Sequence, residues 1–326
     1  MTDPPPSVVV VAAETDLTAD LVVTRLLDGH ATVLRLDPGR LRDDIDITGE
    51  FRTGHWQSVL RHGGRTAVLG EHCSVYWRKP TRPDAHDDAD QRWRADENTT
   101  ALLGLLRTHP LKVWCNDPTT TARAALKPAQ LAAAAAAGLS VPDTLLTSDP
   151  AAARAFLRAH DDRVVVKTQT KRHTAFVPTT RLRLADDLDR VAGTVHYLQA
   201  LVADRLLDAR VTVVDDTAFG AAITTDGELD WRTAPPGTCR YAPLTVPDDI
   251  ARACVAHVRA LGLAYAALDF VVTPQGWWYI ETNPNGEFGF VQAHTGLPVA
   301  ERIADLLLHG PSSGSSASAG LARARM

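Results

Sequence analysis

Apolar and polar positions along this chain alternate with two different periods, and the change from one to the other marks its elements. Val8 to Ala13 is an unbroken apolar, largely β-branched run, which predicts a strand buried on both faces of a parallel sheet. A helical segment follows Thr15-Asp16 and reaches Leu27, with Gly29 as its stop. Ala31 to Leu36 supplies a second short strand, so the opening is strand, helix, strand and predicts an open α/β sheet. Val75-Tyr76-Trp77 is a further strand-like run leading into Arg78-Lys79-Pro80. A charged stretch from Arg82 to Glu97 then enters a helix that continues through Leu106, and the first unit closes near Asn116-Asp117-Pro118.

Lys127 to Ala137 is alanine-rich and helical by propensity, with Gly138 as a natural C-terminal stop. Arg163 to Thr168 predicts a strand, followed by the polar turn Gln169 to Thr174 and another strand-like segment. Two strands joined by a loop carrying Lys171, Arg172 and His173 suit a flexible lid. Strands are expected at Tyr197–Val202, Arg210–Val214, Ala218–Thr224, Tyr265–Val272 and Trp277–Ile280. The last two form a hairpin, with Pro274 starting the turn and Gly276 taking the positive φ. Leu297 to Leu308 is a closing helix, and the Ser/Gly/Ala-rich tail from Pro311 reads as disordered.

Size and composition narrow the classes. A chain of 326 residues fits two or three lobes with separate cores, and its 45% apolar and 22% charged residues are ordinary for a globular protein. A net charge of −5 offers no broad attraction to nucleic acid or anionic lipid, so neither is expected as a partner. The four cysteines, Cys73, Cys115, Cys239 and Cys254, form no CxxC pair, which argues against a zinc site or disulfide framework. No apolar run of roughly 20 residues is present for a membrane span. The start, Pro4-Pro5-Pro6, lacks a basic secretory signal, so the cytoplasm is the expected location. The P-loop, GxGxxG, GxSxG and protein-kinase motifs are all missing, so any ATP must be held in another way.

Three constellations carry chemistry. Leu268-Asp269-Phe270 and Ile280-Glu281-Thr282-Asn283 lie on the two hairpin strands, and strand alternation turns Asp269, Glu281 and Asn283 toward one face. Two carboxylates and an amide oxygen suit magnesium and leave positions for water and phosphate oxygens. Taken singly, each acid is as well explained as a turn residue. Together within apolar strands they need a cation, because adjacent buried like charges are costly. Lys167 ends the strand Val164-Val165-Val166, and Lys127 opens the alanine helix; phosphate is a suitable partner for both, although an ordinary strand-end charge would read the same way. In Asp208-Ala209-Arg210 alternation puts the acid and the arginine on one face, either for phosphate neutralisation by Arg210 or as a surface ion pair. A second acid-x-arginine, Asp230-Trp231-Arg232, reads equally as a functional turn or an exposed loop with an anchoring tryptophan.

The order of lysine, second lysine on a strand, arginine strand and then D…ExN resembles the ATP-grasp superfamily. More narrowly, the chain resembles the ATP-grasp ribosomal peptide maturases, the graspetide (microviridin-type) macrocyclases. The segments that carry the likeness are Ser74 to Pro80, Lys127 to Asp149, Val164 to Lys167, Arg210 to Val214, Asp230 to Arg232, Leu268 to Gly286 and Thr295 to Pro298. The resemblance implies an α/β protein with an N-terminal pre-ATP-grasp domain (1–117), a central lid domain (118–196), a C-terminal ATP-grasp domain (197–310) and a tail (311–326). It implies ATP and Mg2+ as cofactors, with Lys127 and Lys167 on the nucleotide phosphates. Gln199 to Val202, including Leu201 and Val202, would form the adenine-side hinge, with Asp204 on the ribose. Arg210 would stabilise the transferred phosphoryl, making Arg210 and Lys167 the catalytic pair, and Asp269, Glu281 and Asn283 would carry magnesium. Asp230, Arg232 and Arg78 would contact a precursor peptide, leader plus acidic core, whose Asp/Glu side chains are phosphorylated and closed onto Thr/Ser or Lys. A homodimer is the expected assembly. The same nucleotide residues would equally serve a glutathione-synthetase-like or glutamate-adding ligase, and a non-catalytic peptide-binding module is a third reading.

Overall fold

The computed structural model describes residues 7–41, 44–170, 177–227 and 229–312. The lid-loop residues Lys171, Arg172 and His173, and the tail beyond Ser312, lie outside the described residues.

The chain opens with β1 (Ser7–Val11), α1 (Leu17–Asp28) and β2 (Thr32–Leu36). Asp16 caps α1 by accepting from the Ala19 amide at 3.0 Å, and the Gly29 amide closes its end on Arg25. A ribbon follows: β3 (Ile45–Arg52), β4 (His55–His62) and β5 (Arg65–Val68). Then come β6 (Cys73–Trp77), α2 (Ala89–Thr108) and β7 (Val113–Cys115). The first sheet is parallel in the order β2-β1-β6-β7. Its two faces sort residues by alternation. Val8, Val10 and Val33 pack with α1 and with the C-terminal helix, while Val9, Val11 and Leu34 pack with Leu102 and Leu106 of α2. Both faces are therefore apolar, which is why β1 reads as a continuous hydrophobic run.

The sequence pattern does not announce the antiparallel ribbon β3-β4-β5. Most of its side chains are exposed, with only Ser58, Leu60 and Ala67 buried and Ile47 packed beside them, so the hydrophobic signal is thin. Its turns are the legible part. Thr53-Gly54 and Gly63-Gly64 are two-residue loops with positive φ at every position, the geometry that matches the twist of paired strands.

Next come α3 (Pro118–Ala124), α4 (Lys127–Ala136), β8 (Thr144–Thr147), α5 (Pro150–Ala159), β9 (Val164–Lys167), β10 (Thr180–Leu182) and β11 (His196–Ala200). They form a small antiparallel sheet in the order β10-β9-β11-β8, backed by Ala153 and Leu157 of α5. A larger antiparallel sheet follows, in the order β14-β13-β12-β15-β16, from β12 (Leu207–Val214), β13 (Thr217–Thr224), β14 (Arg240–Leu244), β15 (Tyr265–Thr273) and β16 (Gly276–Asn283). The helix α6 (Asp248–Ala260) and α4 cover one face of it. Gly276 takes φ +138°, as the hairpin turn requires.

A short helix, α7 (Gly289–Thr295), ended by Gly296 at φ +71°, precedes α8 (Val299–His309), which is the closing helix expected at Leu297 to Leu308. Through Ile303 and Leu307, α8 returns to the first sheet and packs with Leu26 of α1 in one core. Asn116 ties the same regions by hydrogen bonds. Its Nδ2 donates to the Tyr265 carbonyl at 2.7 Å and the Pro284 carbonyl at 2.9 Å, and its Oδ1 accepts from the Ala264 amide at 2.8 Å. Among the described residues no helix is long and apolar enough to cross a membrane.

Candidate active site

Between the small sheet and the five-stranded sheet lies a cleft of about 1640 Å³, lined by Lys127, Lys167, Gln199, Leu201, Val202, Asp204, Asp208, Arg210, Asp230, Arg232, Asp269, Glu281 and Asn283. Antiparallel register places Asp269 of β15 directly opposite Glu281 of β16, and an irregularity follows immediately after Asp269. Asn283 completes the triangle, its Nδ2 lying 3.3 Å from Asp269 Oδ2 and 3.4 Å from Glu281 Oε1. Turning that amide over presents its oxygen to the same point.

Four cations converge on or beside the pair. Lys127 Nζ donates to Glu281 Oε2 at 2.5 Å, and Arg210 Nη1 to Asp269 Oδ1 at 2.6 Å. Arg232 Nη2 lies 2.7 Å from Asp269 Oδ2 and 3.3 Å from Glu281 Oε1. Lys167 Nζ, on the small sheet and lining the same cleft, donates to Gln199 Oε1 at 2.7 Å. Burial alone would raise the Glu281 carboxyl; Lys127 and Arg232, with Lys167, overcome this and hold it well below the usual range. Burial lowers the Lys167 ammonium to about 8, with Glu281 opposing the shift and Lys127 adding to it.

The structure resolves the alternatives left open by Asp208-Ala209-Arg210. Arg210 is 4% exposed and pairs with Asp269, so the pair is no surface ion bridge. Asp208 faces Arg205 instead, at 3.2 Å, and burial raises its carboxyl to about 6 against the pull of Arg205. Asp230-Trp231-Arg232 enters a short helical turn, with its acid buried and its arginine half-exposed. Asp230 caps that turn through the Arg232 amide at 3.1 Å, while the Arg232 guanidinium lies over the Trp231 ring at 4.8 Å.

Arg78, named with Asp230 and Arg232 as a peptide contact, sits elsewhere. It is 1% exposed and held by Glu287 Oε2 at 2.5 Å, Asp16, and the carbonyls of Asn285 and Gly286 at 2.8 and 3.1 Å. Its two terminal nitrogens are both bonded to the protein and the side chain is buried, so it clamps the loop after β16 to the first sheet and offers no open face. Lys79 shares Glu287 with it.

A buried network behind the acids escaped the sequence reading. Gln130, on α4 one turn beyond Lys127, donates to the carbonyls of Ala124 at 2.7 Å and Thr282 at 2.8 Å and accepts from the Thr282 amide at 3.1 Å. The Thr282 hydroxyl in turn meets His257 Nε2 and the Tyr279 hydroxyl, each at 2.8 Å. This fixes β16 against α4 and so sets Glu281 opposite Lys127. A glutamine one turn after Lys127, in a helix otherwise apolar beyond that lysine, was the available signal.

Among the described residues no cluster of three or more His, Cys, Asp or Glu could hold a metal ion. The donor set here is two carboxylates and an amide, all hard oxygens once the amide is turned, which fits magnesium sharing the remaining positions with phosphate and water.

An N-terminal parallel sheet, a small antiparallel sheet and a larger antiparallel sheet carrying the paired acids, with a cation-lined cleft between the last two, make up the ATP-grasp fold. The chain therefore has the ATP-grasp fold. The solved structures it is similar to are more particular. It superposes on macrocyclase MdnB from Microcystis aeruginosa at 27% identity and TM-score 0.75, covering 94% of this chain and 100% of that one. It matches macrocyclase MdnC of the same organism, solved with precursor peptide MdnA, at 22% and 0.78, covering 93% and 99%. A RiPP-associated ATP-grasp ligase from Chryseobacterium gregarium, solved with ADP and a leader and core peptide, matches at 22% and 0.78, covering 92% and 96%. No protein-family profile matches the chain, and no curated protein sequence does.

Proposed function

We propose that this protein is a cytoplasmic, ATP- and magnesium-dependent macrocyclase of ribosomally made precursor peptides. The observation that carries the reading is the convergence of Lys127, Arg210 and Arg232 on the Asp269–Glu281 pair, with Arg232 contributed by the Asp-Trp-Arg turn. Supporting it, the full-length structural neighbours include macrocyclases, one of them solved with its precursor peptide. In this reading 1–117, 118–196 and 197–310 are the three lobes, and the nucleotide lies in the cleft between the last two.

Gln199, Leu201, Val202 and Asp204 hold the base and ribose, and Lys127 and Lys167 hold the phosphates. Asp269, Glu281 and Asn283 would carry magnesium, which supplies neutralisation of phosphate charge. A substrate Asp or Glu carboxylate oxygen, guided by Asp230 and Arg232, attacks the γ-phosphorus, and the bond to ADP breaks. Arg210 offsets the charge that develops on the transferred phosphoryl. A Thr/Ser hydroxyl or Lys amine of the same peptide then attacks the acyl carbon. Phosphate leaves with the electron pair, and the nucleophile's proton passes to solvent or to the departing phosphate. Each ring therefore costs one ATP and removes one water from the peptide. The enzyme supplies no nucleophile of its own; both bond-making groups belong to the substrates.

The test is to seek a short open reading frame beside this gene that encodes an acidic, Thr/Ser- or Lys-bearing peptide, and to measure that peptide's intact mass after incubation with the protein, ATP and magnesium. Loss of one or more waters, absent without ATP and absent with Glu281→Gln, is the expected result, and methanolysis then separates esters from amides. An unchanged peptide, with phosphate released on free amino acids, would replace the macrocyclase by a small-molecule ligase.

A further inference from the structure

Arg232 makes contacts that a purely peptide-directed residue does not need. Each acid of the pair presents two oxygens, and different partners take them. Lys127 takes the outer oxygen of Glu281, Oε2, and Arg210 takes the outer oxygen of Asp269, Oδ1. The inner oxygens, Asp269 Oδ2 and Glu281 Oε1, are both contacted by Asn283 and by Arg232, at 2.7 to 3.4 Å. Asp269, Glu281 and Asn283 are the three residues assigned to magnesium. The Arg232 guanidinium therefore stands on the oxygen pair that a divalent cation would use.

The two cannot hold that pair together. They need the same lone pairs, and like charges at this separation repel strongly in a cleft partly shielded from water. Arg232 has somewhere else to go. Its side chain is 32% exposed, its Nη1 is 3.3 Å from Asp230 Oδ1, and its base is fixed by the short turn that Asp230 caps. The Trp231 ring beneath the guanidinium is itself braced by Phe290 at 5.7 Å. A pivot about the side-chain torsions keeps the guanidinium in the cleft while leaving its planar fork free, and that fork matches a carboxylate.

We propose that Arg232 and the divalent cation hold the inner oxygens in turn, so that loading of the metal–nucleotide releases Arg232 to receive the acidic side chain of the substrate. The inference rests on the nucleotide reading of the cleft given above. Before loading, the protein's own acids neutralise Arg232 and it draws no substrate carboxylate; afterwards it does. Metal–nucleotide thus binds before the acidic peptide, and a carboxylate is not captured in a site that cannot activate it.

The experiment is calorimetric titration of ADP into the full chain across a series of Mg2+ concentrations, for wild type, Arg232→Gln and Arg232→Lys. Removing the charge-assisted contacts that compete with the metal should lower the half-effective Mg2+ concentration on the order of tenfold in Arg232→Gln. Arg232→Lys, which keeps a charge but lacks the fork, should show a smaller fall and stands in if the glutamine variant does not fold. An unchanged or raised Mg2+ requirement, with ADP still bound, overturns the exchange. Wild type that binds no ADP at any Mg2+ level sinks the nucleotide reading itself. A second arm uses saturation-transfer NMR with N-acetyl-Gly-Glu-Gly-amide. Signal is expected from wild type only with Mg-ADP present and from Arg232→Gln in neither state. Equal signal from wild type without Mg-ADP overturns the release of Arg232.

Discussion

Lys167→Met should strengthen the ligand-free protein while stripping it of nucleotide affinity. Burial lowers the Lys167 ammonium from the usual 10.5 to about 8, with Lys127 adding to the shift and Glu281 opposing it. A shift of that size corresponds to roughly 3 kcal/mol against the charged form in the folded state. Water in the half-buried cleft moderates it, and the substitution also removes the 2.7 Å bond to Gln199 Oε1, worth about 1 kcal/mol. Methionine keeps the apolar stem, so a net gain of about 2 kcal/mol at pH 7 remains. The sign follows from linkage. Below pH 8 both folded and unfolded wild type carry the proton, and the folded state bears the full penalty. Between pH 8 and 10.5 the folded state sheds its proton first, so wild-type stability climbs and the advantage of the variant fades. Urea unfolding of both proteins at pH 7 and pH 10, without nucleotide, reads this directly: a clear gap at pH 7, mostly closed at pH 10. Calorimetry at pH 7 should show ADP affinity down at least about tenfold, because a charge-assisted phosphate contact is gone. A variant less stable than wild type at pH 7, or a gap that ignores pH, would refute the account of Lys167 as a charge held ready for an anion.

Other outcomes follow from the same geometry. Gln130→Leu keeps the volume but strands the amide and carbonyl of Thr282 and the carbonyl of Ala124. It should cost roughly 3 kcal/mol in chemical denaturation and weaken ADP binding through Glu281, although Gln130 itself meets only backbone groups and the Tyr279 hydroxyl. Asp208→Asn should stabilise the protein by about 1 kcal/mol at pH 7, after allowing for the lost Arg205 pair. Because burial raises the wild-type carboxyl from 3.8 to about 6, the penalty is present above pH 6 and disappears as pH falls toward 4, so the two unfolding curves should converge there. Ile303→Ala empties a fully buried position where α8 meets the first sheet, and a loss of roughly 3 to 4 kcal/mol is expected in the same assay.

Much of this protein is written locally. The apolar run at β1, the Asp16 cap and Gly29 stop of α1, the Gly138 end of the alanine helix and the Pro274–Gly276 turn each depend on neighbours within a few residues, so periodicity and turn chemistry reveal them. Asp269, Glu281 and Asn283 are only partly so: alternation turns Glu281 and Asn283 toward one face, but the register shift after Asp269 is what brings that acid opposite Glu281 rather than Ile280. The exposed ribbon β3-β4-β5 stayed hidden because strands facing water carry little hydrophobic contrast.

Tertiary structure decided which charges meet. Arg210 has Asp208 two residues away, yet pairs with Asp269, 59 positions on, because β12 and β15 are hydrogen-bonded neighbours. Arg232 reaches both acids from a turn that the sequence leaves ambiguous, Lys127 finds Glu281 only because Gln130 locks α4 to β16, and Arg78 is drawn into the frame by Asp16 and Glu287. The sequence by itself determines the elements and the kinds of charge they carry, since backbone torsions and side-chain alternation act over a few residues. The partner of each charge is determined by strand order and helix docking, and Coulomb attraction depends on distance in space, which chain separation does not report.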